Sequence, residues 1–283
     1  MTPPYTTLIG AADLVALQSG AAPPVVIDAS FDLADVEAGR RAGQRGHLPG
    51  SVYLHLDENL SGPKTGANGR HPLPERRAFA AVLGRIGVTP QTQVVVLDAQ
   101  GGVYAARLWW MLRWIGHAAV AVLDGGVAAW QRTGGALVGA GTTPAAAAPY
   151  PERAPLTTQL DAAAVAHGIG RQRVLDARAP ERFRGEVEPL DAVAGHIPGA
   201  LNRFHRSNLG AGGLFKPAAQ LRAEFETLLG DGGAAAIVHQ CGSGVTACHN
   251  LLAMEHAGLA GSALYPGSWS EWSADPARPV ARG

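Results

Sequence analysis

The sequence has few cysteines, no excess of either charge and no long apolar run. Its 283 residues include two cysteines, and the 23 Lys and Arg residues balance the 23 Asp and Glu residues. Such a neutral chain lacks the basic surface that binding to nucleic acid or to an anionic membrane requires. No apolar stretch approaches the roughly 20 residues that span a bilayer. We therefore expect no nucleic-acid partner and no membrane partner.

The first twenty residues lack a signal-peptide pattern. They contain Asp13, no Lys or Arg, and no apolar core of the kind that directs secretion. A disulfide between Cys241 and Cys248 is not expected, because a helix beginning just after Cys241 separates the Cα atoms by roughly 10 Å. Cys248, inside that helix, is expected to be a small core residue. These features predict a cytoplasmic protein with free thiols.

What the sequence does contain is an internal repeat. Two short blocks recur in the same order in both halves: VIDAS at residues 26–30 as VLDAR at 174–178, and GHLPG at 46–50 as GHIPG at 195–199. A proline-rich segment without periodicity separates the two copies. The sequence therefore predicts a first domain at residues 1–138, a linker at 139–155 and a second domain at 156–283.

Each copy alternates short apolar runs with helical patterns. Buried strands are predicted at residues 25–28, 94–98, 120–123, 174–176 and 236–240. Apolar residues at helical spacing predict a helix from Val103 to Ile115, and the second copy repeats this pattern after Gly244. The alternation predicts an α/β fold in which each domain is a mostly parallel sheet flanked by helices. Ligands of such sheets bind beyond the carboxyl ends of the strands.

The two copies differ at one strand-to-helix turn. A gapless alignment places Ala99 of the first copy opposite Cys241 of the second, so that only the second copy has a nucleophile. Features that both copies share favour a structural role. Asp28 and Asp176, which each end a strand, are accordingly predicted to hold a turn by accepting hydrogen bonds from backbone amides.

The residues around Cys241 favour a reactive thiol. Gly242 and Gly244 allow the backbone N–H groups to turn inward into an anion-binding nest, next to the N-terminal end of the following helix. Both features stabilise a thiolate or an anionic persulfide. Ser243 offers a further hydrogen bond, and the side chain of Thr246 is predicted to cap the helix.

The segment CGSGVT at residues 241–246 resembles the active-site loop of tandem-domain sulfurtransferases of the rhodanese family, in their mercaptopyruvate variant. The inert first copy, the repeated GHxPG blocks and the closing GSWSEW at 267–272 extend the resemblance over nearly the whole chain. The resemblance implies two rhodanese-like domains with the active site in the second. It implies that Cys241 and Ser243 are catalytic and that the substrate is bound by Gly242, Gly244, Val245 and Thr246.

In that family, a cysteine takes a sulfane sulfur from a small anionic donor and passes it from the persulfide to an acceptor. The donors are thiosulfate or 3-mercaptopyruvate, the acceptors are cyanide or thiols such as thioredoxin, and no metal or organic cofactor is implied. Gly242 and Ser243 stand where thiosulfate-specific rhodaneses carry Arg and Lys. The neutral loop favours a monoanion such as 3-mercaptopyruvate, and a thiosulfate-specific enzyme is the alternative.

The resemblance also implies roles for residues outside the loop. Arg182 matches an arginine that mercaptopyruvate enzymes use to bind the donor, whereas Leu190 stands where they present a second arginine. Family members use a histidine and an acidic residue of the first domain to relay protons to the loop serine. His47, assigned to the substrate site, is the candidate histidine and Asp35 the candidate acid; a structural role is the alternative for His47, because His196 repeats it.

Two other functions fit parts of the sequence. A cysteine phosphatase on the same fold needs a longer loop and an arginine six positions after the cysteine, where this chain has Ala247. A non-catalytic binding module fits the first copy alone, but the loop of Cys241 argues against it for the whole chain. The sequence therefore predicts a sulfurtransferase.

Overall fold

The computed structural model of the chain describes residues 3–139 and 145–283. The chain divides into two compact units. The first unit comprises Met1–Gly62, Pro74–Leu156 and Ala211–Leu214, and the second comprises Pro63–Leu73, Thr157–Gly210 and Phe215–Gly283. The domain and linker boundaries drawn from the sequence stay predictions, and residues 140–144 of the linker lie outside the described part of the chain.

The first unit contains a parallel five-stranded sheet. Its strands are β1 (Leu8–Ile9), β2 (Val25–Asp28), β3 (Ser51–Tyr53), β4 (Val94–Leu97) and β5 (Val120–Leu123). They pair in the order β1-β5-β4-β2-β3, and every pair is parallel. The helices of this unit are α1 (Ala11–Gln18), α2 (Ala38–Arg45), α3 (Leu56–Asn59), α4 (Arg76–Arg85), α5 (Val103–Trp114) and α6 (Gly126–Arg132).

The second unit repeats this sheet. Its strands are β6 (Thr158–Gln159), β7 (Arg173–Asp176), β8 (Leu201–Asn202), β9 (Ile237–Gln240) and β10 (Ala263–Leu264), in the order β6-β10-β9-β7-β8. The helices are α7 (Ala162–Gly168), α8 (Pro180–Phe183), α9 (Ala218–Leu229), α10 (Ala247–His256) and α11 (Ser268–Trp272). The predicted α/β architecture with two mostly parallel sheets is confirmed. No helix in the described part of the chain is long and apolar enough to cross a membrane.

The central strands β4 and β9 are buried along their whole length. Parallel strands with helices on both faces require apolar side chains at successive positions, which explains the VVVL of β4. The repeated tryptophans, Trp130 and Trp272, are 5% and 0% exposed. Their Nε1 groups donate to the carbonyls of Ala136 and Pro279 at 3.0 and 2.9 Å, so the same buried contact stabilises both units.

Shared carboxylates hold the turns that follow β2 and β7. The Oδ1 atom of Asp28 accepts a hydrogen bond from the N–H of Ser30 at 2.8 Å. The Oδ1 atom of Asp176 accepts one from the N–H of Arg178 at 2.9 Å. The predicted structural role of these two aspartates is confirmed.

The described end of the predicted linker packs on the first unit. The N–H of Ala147 donates to the carbonyl of Gly84 at 2.7 Å, and the N–H of Tyr150 donates to that of Ala80 at 3.1 Å. Tyr150 is 3% exposed, and its hydroxyl lies 3.1 Å from Nδ1 of His117. This stretch is therefore anchored to the first unit by one buried aromatic side chain, while most of its other described residues are exposed.

Candidate active site

Cys241 is the first residue after β9 and lies at the carboxyl edge of the second sheet. It is 2% exposed. Its N–H donates to Oγ of Ser268 at 3.1 Å, and its carbonyl accepts from the N–H of Trp269 at 3.0 Å. Ser268, with φ of 54°, is the only non-glycine residue with positive φ in the described chain. Such strained backbone persists where surrounding contacts determine it. The hydrogen bonds to Ser268 and Trp269 hold the backbone of Cys241.

The strand register corrects the alignment of the two copies. The paired strand ends are Asp28 with Leu97 and Asp176 with Gln240. Since the two aspartates are the same position of the repeat, the residue after Leu97 matches the residue after Gln240. Asp98 therefore stands opposite Cys241. The gapless match of Ala99 to Cys241 is wrong by one residue, because the first loop is one residue longer.

The loop of the first copy holds the carboxylate of Asp98, which is 1% exposed. Its Oδ1 atom accepts from the N–H groups of Gln100 and Gly102, both at 2.8 Å. Its Oδ2 atom accepts from those of Tyr104 and Ala105 at 2.8 and 2.9 Å. Four converging N–H groups make this strand-loop-helix turn an anion-binding nest.

The loop of the second copy has N–H groups that the rest of the described chain does not use. Four backbone N–H groups of this loop donate to no oxygen or nitrogen atom of the described residues. They belong to Gly242, Ser243, Val245 and Thr246. Gly244 has φ of 75°, and a Cβ there would lie 2.3 Å from the carbonyl oxygen of Pro266, so only glycine fits. Helix α10 begins at Ala247 and adds the positive end of its dipole.

Thr246 is the N-cap residue of α10, but the predicted side-chain cap is absent. Its φ of −69° and ψ of −16° are helical, whereas a capping hydroxyl reaches the first-turn N–H groups from an extended backbone. Val245 is 5% exposed. Cys248 is 0% exposed, and its Sγ contacts the carbonyl of Gly244 at 3.3 Å, which confirms it as a core residue.

The loop serine contacts a histidine that the sequence analysis did not select. Oγ of Ser243 lies 2.8 Å from Nδ1 of His71, and both residues are buried. His47 lies in the first unit, where its Nδ1 contacts the carbonyl of Gly43 at 3.0 Å. His196 makes the same kind of backbone contact in the second unit. His71, and not His47, is therefore the partner of Ser243.

His71 lies on the segment Pro63–Leu73, which belongs to the second unit although its flanking residues belong to the first. The N–H of Arg70 donates to Oγ of Ser270 at 3.1 Å, which ties this segment to α11. In the sequence, the spacing between the GHxPG block and the loop is longer in the first copy than in the second. That extra length is the signal by which these residues could have been found.

Two arginines lie close to the loop at Gly242, and two carboxylates form ion pairs with them. Arg182 donates through Nη2 to Glu188 at 2.6 Å and lies 3.4 Å from Asp191. Arg70 forms an ion pair with the same aspartate through Nη1. A Cβ on Gly242 would lie 2.7 Å from Nη2 of Arg70 and 3.6 Å from Nη1 of Arg182. The structure thus brings the predicted Arg182 to the loop together with an arginine that was not predicted.

The side chains of the two remaining candidates, Asp35 and Leu190, have other surroundings. Asp35 is in the first unit, half-exposed, and forms an ion pair with Arg41. Leu190 is 46% exposed, and its N–H donates to Glu188 at 3.1 Å. Neither contributes a side-chain polar contact to Ser243 or to Cys241 within the described residues.

The described residues contain one cluster with the composition of a metal site, Glu37, His55 and Glu58. Its polar atoms already have partners. Nε2 of His55 donates to the carbonyl of Val36 at 3.0 Å, and Nδ1 accepts from the N–H of Glu58 at 3.4 Å. Arg40 pairs with both glutamates. This cluster is an ion-pair network that caps α3.

Both copies match the same domain family. The profile of the rhodanese-like domain matches residues 11–133 and 160–275. The chain is 44% identical over 263 residues to a probable 3-mercaptopyruvate sulfurtransferase from Pseudomonas aeruginosa, with 92% of each chain covered. It is 40% identical over 292 residues to the putative thiosulfate sulfurtransferase SseB from Mycobacterium tuberculosis, with 98% of this chain and 97% of the relative covered.

Two solved structures also resemble the chain. The 3-mercaptopyruvate sulfurtransferase from Leishmania major superposes with a TM-score of 0.83 at 27% identity, covering 96% of this chain and 75% of that one. SseA from Escherichia coli, described with the 3-mercaptopyruvate sulfotransferases, gives 0.79 at 30% identity, covering 94% and 99%. With its two matching domains and these relatives, the chain belongs to the rhodanese-like family and is a sulfurtransferase.

Proposed function

We propose that Cys241 carries the transferred sulfur as a persulfide and that 3-mercaptopyruvate is the preferred donor. The observation that carries the proposal is the matched pair of loops. In the first copy, four backbone N–H groups hold the carboxylate of Asp98, at the position that Cys241 occupies in the second. A loop of this shape stabilises an anion, and thiolate and persulfide are the anionic forms of a cysteine side chain.

The first half-reaction forms the persulfide. The thiolate of Cys241 attacks the donor sulfur, an S–S bond forms, and the C–S bond of 3-mercaptopyruvate breaks. The electron pair of that bond goes to the donor carbon, which leaves as the enolate of pyruvate and takes up one proton. The cysteine is thus a covalent nucleophile, and the loop N–H groups stabilise the anionic sulfur.

Ser243 and His71 are the proposed proton source for the enolate. The 2.8 Å contact between Oγ and Nδ1 is short enough for proton transfer, and both side chains are shielded from bulk water. The second half-reaction restores the enzyme. An acceptor thiolate, or cyanide, attacks the outer sulfur of the persulfide and releases the thiolate of Cys241.

The choice of donor rests on charge. Gly242 and Ser243 add no charge to the loop, and Arg182 lies close to Gly242 while already paired with Glu188. Such a site suits a monoanionic carboxylate better than the dianion thiosulfate. Thiosulfate is the second candidate, because one relative is named a putative thiosulfate sulfurtransferase. Thioredoxin as the acceptor and the cytoplasm as the compartment remain predictions from the sequence.

Cysteine substitutions test the persulfide. Cys241→Ser is expected to lose transfer from either donor to cyanide, because the hydroxyl is not a thiolate at neutral pH. Cys248→Ser, the matched control, is expected to keep most of the activity, since Cys248 is a core residue. Mass spectrometry of donor-treated protein should find one added sulfur on the peptide of Cys241. Activity in Cys241→Ser equal to that of the wild type contradicts the mechanism.

Steady-state rates test the donor. We expect a higher kcat/KM for 3-mercaptopyruvate than for thiosulfate, each measured with cyanide on one purified sample. A higher value for thiosulfate would reject the donor assignment but leave the persulfide intact.

A further inference from the structure

A cavity of about 310 Å³ lies in the first unit, at the carboxyl end of β2. Its volume is at the lower end of the roughly 300–1,000 Å³ that small-molecule sites occupy. Its lining includes Asp28 and Ser30, which are 7% and 3% exposed. Gly46 and Val127 form other parts of the wall. The proposed sulfur transfer uses none of these residues.

In the second unit, an arginine side chain fills the corresponding place. Arg178, the last residue of the repeated block VLDAR, is the counterpart of Ser30. Its Nε donates to the two carboxylate oxygens of Asp176 at 3.2 and 3.0 Å. Its Nη2 donates to Oδ2 of the same aspartate and to the carbonyl of Gly195, both at 2.7 Å. The guanidinium carbon lies 4.7 Å from the centre of the Trp269 ring, so the second unit contains a buried guanidinium site.

Each wall of that guanidinium site has a counterpart around the cavity of the first unit. Asp28 corresponds to the carboxylate, Gly46 to the carbonyl and Val127 to the aromatic ring. The backbone supports the last match, because the residues that precede Val127 and Trp269 both have positive φ, of 52° and 54°. Two large side chains of the second copy are thus replaced by serine and valine. The first copy keeps the acceptors of the site and lacks the cation.

The acceptors of the cavity have no cationic partner within the described residues. No arginine or lysine forms an ion pair with Asp28 there, and Arg45, which also lines the cavity, is exposed and unpaired. The carbonyl of Gly46 accepts no hydrogen bond from the described residues. Burial raises the pKa of Asp28 above its ordinary value and the nearby Asp98 raises it further, although hydrogen bonds from Ser30 oppose this shift. A buried carboxylate in this state gains most from a cation that also donates hydrogen bonds.

We propose that this cavity binds a small guanidinium compound, in the way that the second unit holds the side chain of Arg178. The planar N–H groups of the ligand donate to the carboxylate of Asp28 and to the carbonyl of Gly46, and its apolar part packs against Val127. The first copy, which has no nucleophilic cysteine, thereby has a binding function of its own. The proposal goes beyond sulfur transfer and does not depend on the proposed function.

Titration of the full-length protein with ethylguanidinium tests the site. We expect saturable changes in the amide NMR signals of Gly46 and Val127, with a Kd in the millimolar range or tighter. Ethylammonium carries the same charge without the planar fork of N–H groups, and it should bind at least about tenfold more weakly. Equal binding of the two cations, or no saturable change with ethylguanidinium, overturns the proposal.

Two substitutions remove the site in different ways. Ser30→Arg places the guanidinium of the second copy in the cavity and should abolish the binding of ethylguanidinium. Asp28→Asn keeps an oxygen for the N–H of Ser30, which guards against misfolding, and should weaken binding by about tenfold or more because the charge is lost. Asp13→Asn, at an exposed position of the same unit, is the matched control and should bind like the wild type. Unchanged affinity in Asp28→Asn, or in folded Ser30→Arg, means that the cation binds elsewhere and overturns the proposal.

Discussion

At the scale of single residues, the proposed chemistry of the site depends on a pair of residues that are distant in sequence. Ser243 and His71 are separated by 172 positions, and they meet at 2.8 Å in a buried environment. In such a hydrogen-bonded pair, the imidazole orients the hydroxyl and exchanges a proton with it, so that the two groups transfer a proton together. Loss of either residue is therefore expected to remove most of the contribution of the pair to catalysis.

A double-mutant cycle tests this pairing. Ser243→Ala and His71→Asn are each expected to reduce kcat with 3-mercaptopyruvate by about a hundredfold, with a smaller effect on KM. The double variant should be no slower than the slower single variant, since both changes remove the same proton transfer. His47→Asn is the matched control and should keep full activity. Multiplicative losses in the double variant would mean that the two residues act separately.

At the scale of elements, the same strand-loop-helix turn serves two purposes. In the first unit it surrounds the fixed anion of Asp98, and in the second it surrounds Cys241, the proposed sulfur carrier. The first unit therefore gains stability from a nest that, under the proposed function, holds a sulfur anion in the second unit. A buried N–H group that loses its acceptor costs about 1–3 kcal/mol, and four such groups converge on Asp98.

Asp98→Ala is expected to lower the free energy of unfolding of the first unit by about 3 kcal/mol or more. Asp98→Asn should lose less, because its amide oxygen still accepts two of the hydrogen bonds. Urea unfolding followed by circular dichroism measures both, with the exposed Asp13→Ala as the control. Equal stability of Asp98→Ala and the control would show that water replaces the carboxylate without cost.

Local patterns were sufficient for the elements but not for every site residue. Short apolar runs predicted β2 and β5 to the residue, because burial on both faces of a parallel strand leaves a clear signal. The glycine-rich context made Cys241 the candidate nucleophile for a similarly local reason. His71 and Arg70 were missed because Pro63–Leu73 folds with the second unit, which no local pattern encodes. The one-residue shift at Asp98 was missed because only strand pairing reveals the register.

At the scale of the whole molecule, both units contain histidines whose pKa is lowered by burial. Burial lowers the pKa of His117 in the first unit below its usual value. In the second unit, burial lowers the pKa of His205 to about 4 and that of His239 to about 3. The unfolded chain binds protons at these residues near the ordinary value of 6.5, whereas the folded chain does not. Stability is therefore complete above that pH and declines as the pH falls towards the folded-state values.

The contribution of His239 to this acid sensitivity can be measured directly. It is 0% exposed, with Nε2 at 3.2 Å from Oγ of Ser262, so its protonation disrupts a closed core. Between about pH 6 and pH 4, His239 adds about 1.4 kcal/mol per pH unit to the slope of the unfolding free energy against pH. The unfolding free energy, measured by urea unfolding at each pH, should depend less steeply on pH in His239→Asn than in the wild type. The control His167→Asn, at an exposed position, should keep the wild-type dependence. Identical slopes in the two variants would mean that His239 takes up its proton in the folded protein, with the core opening to admit it.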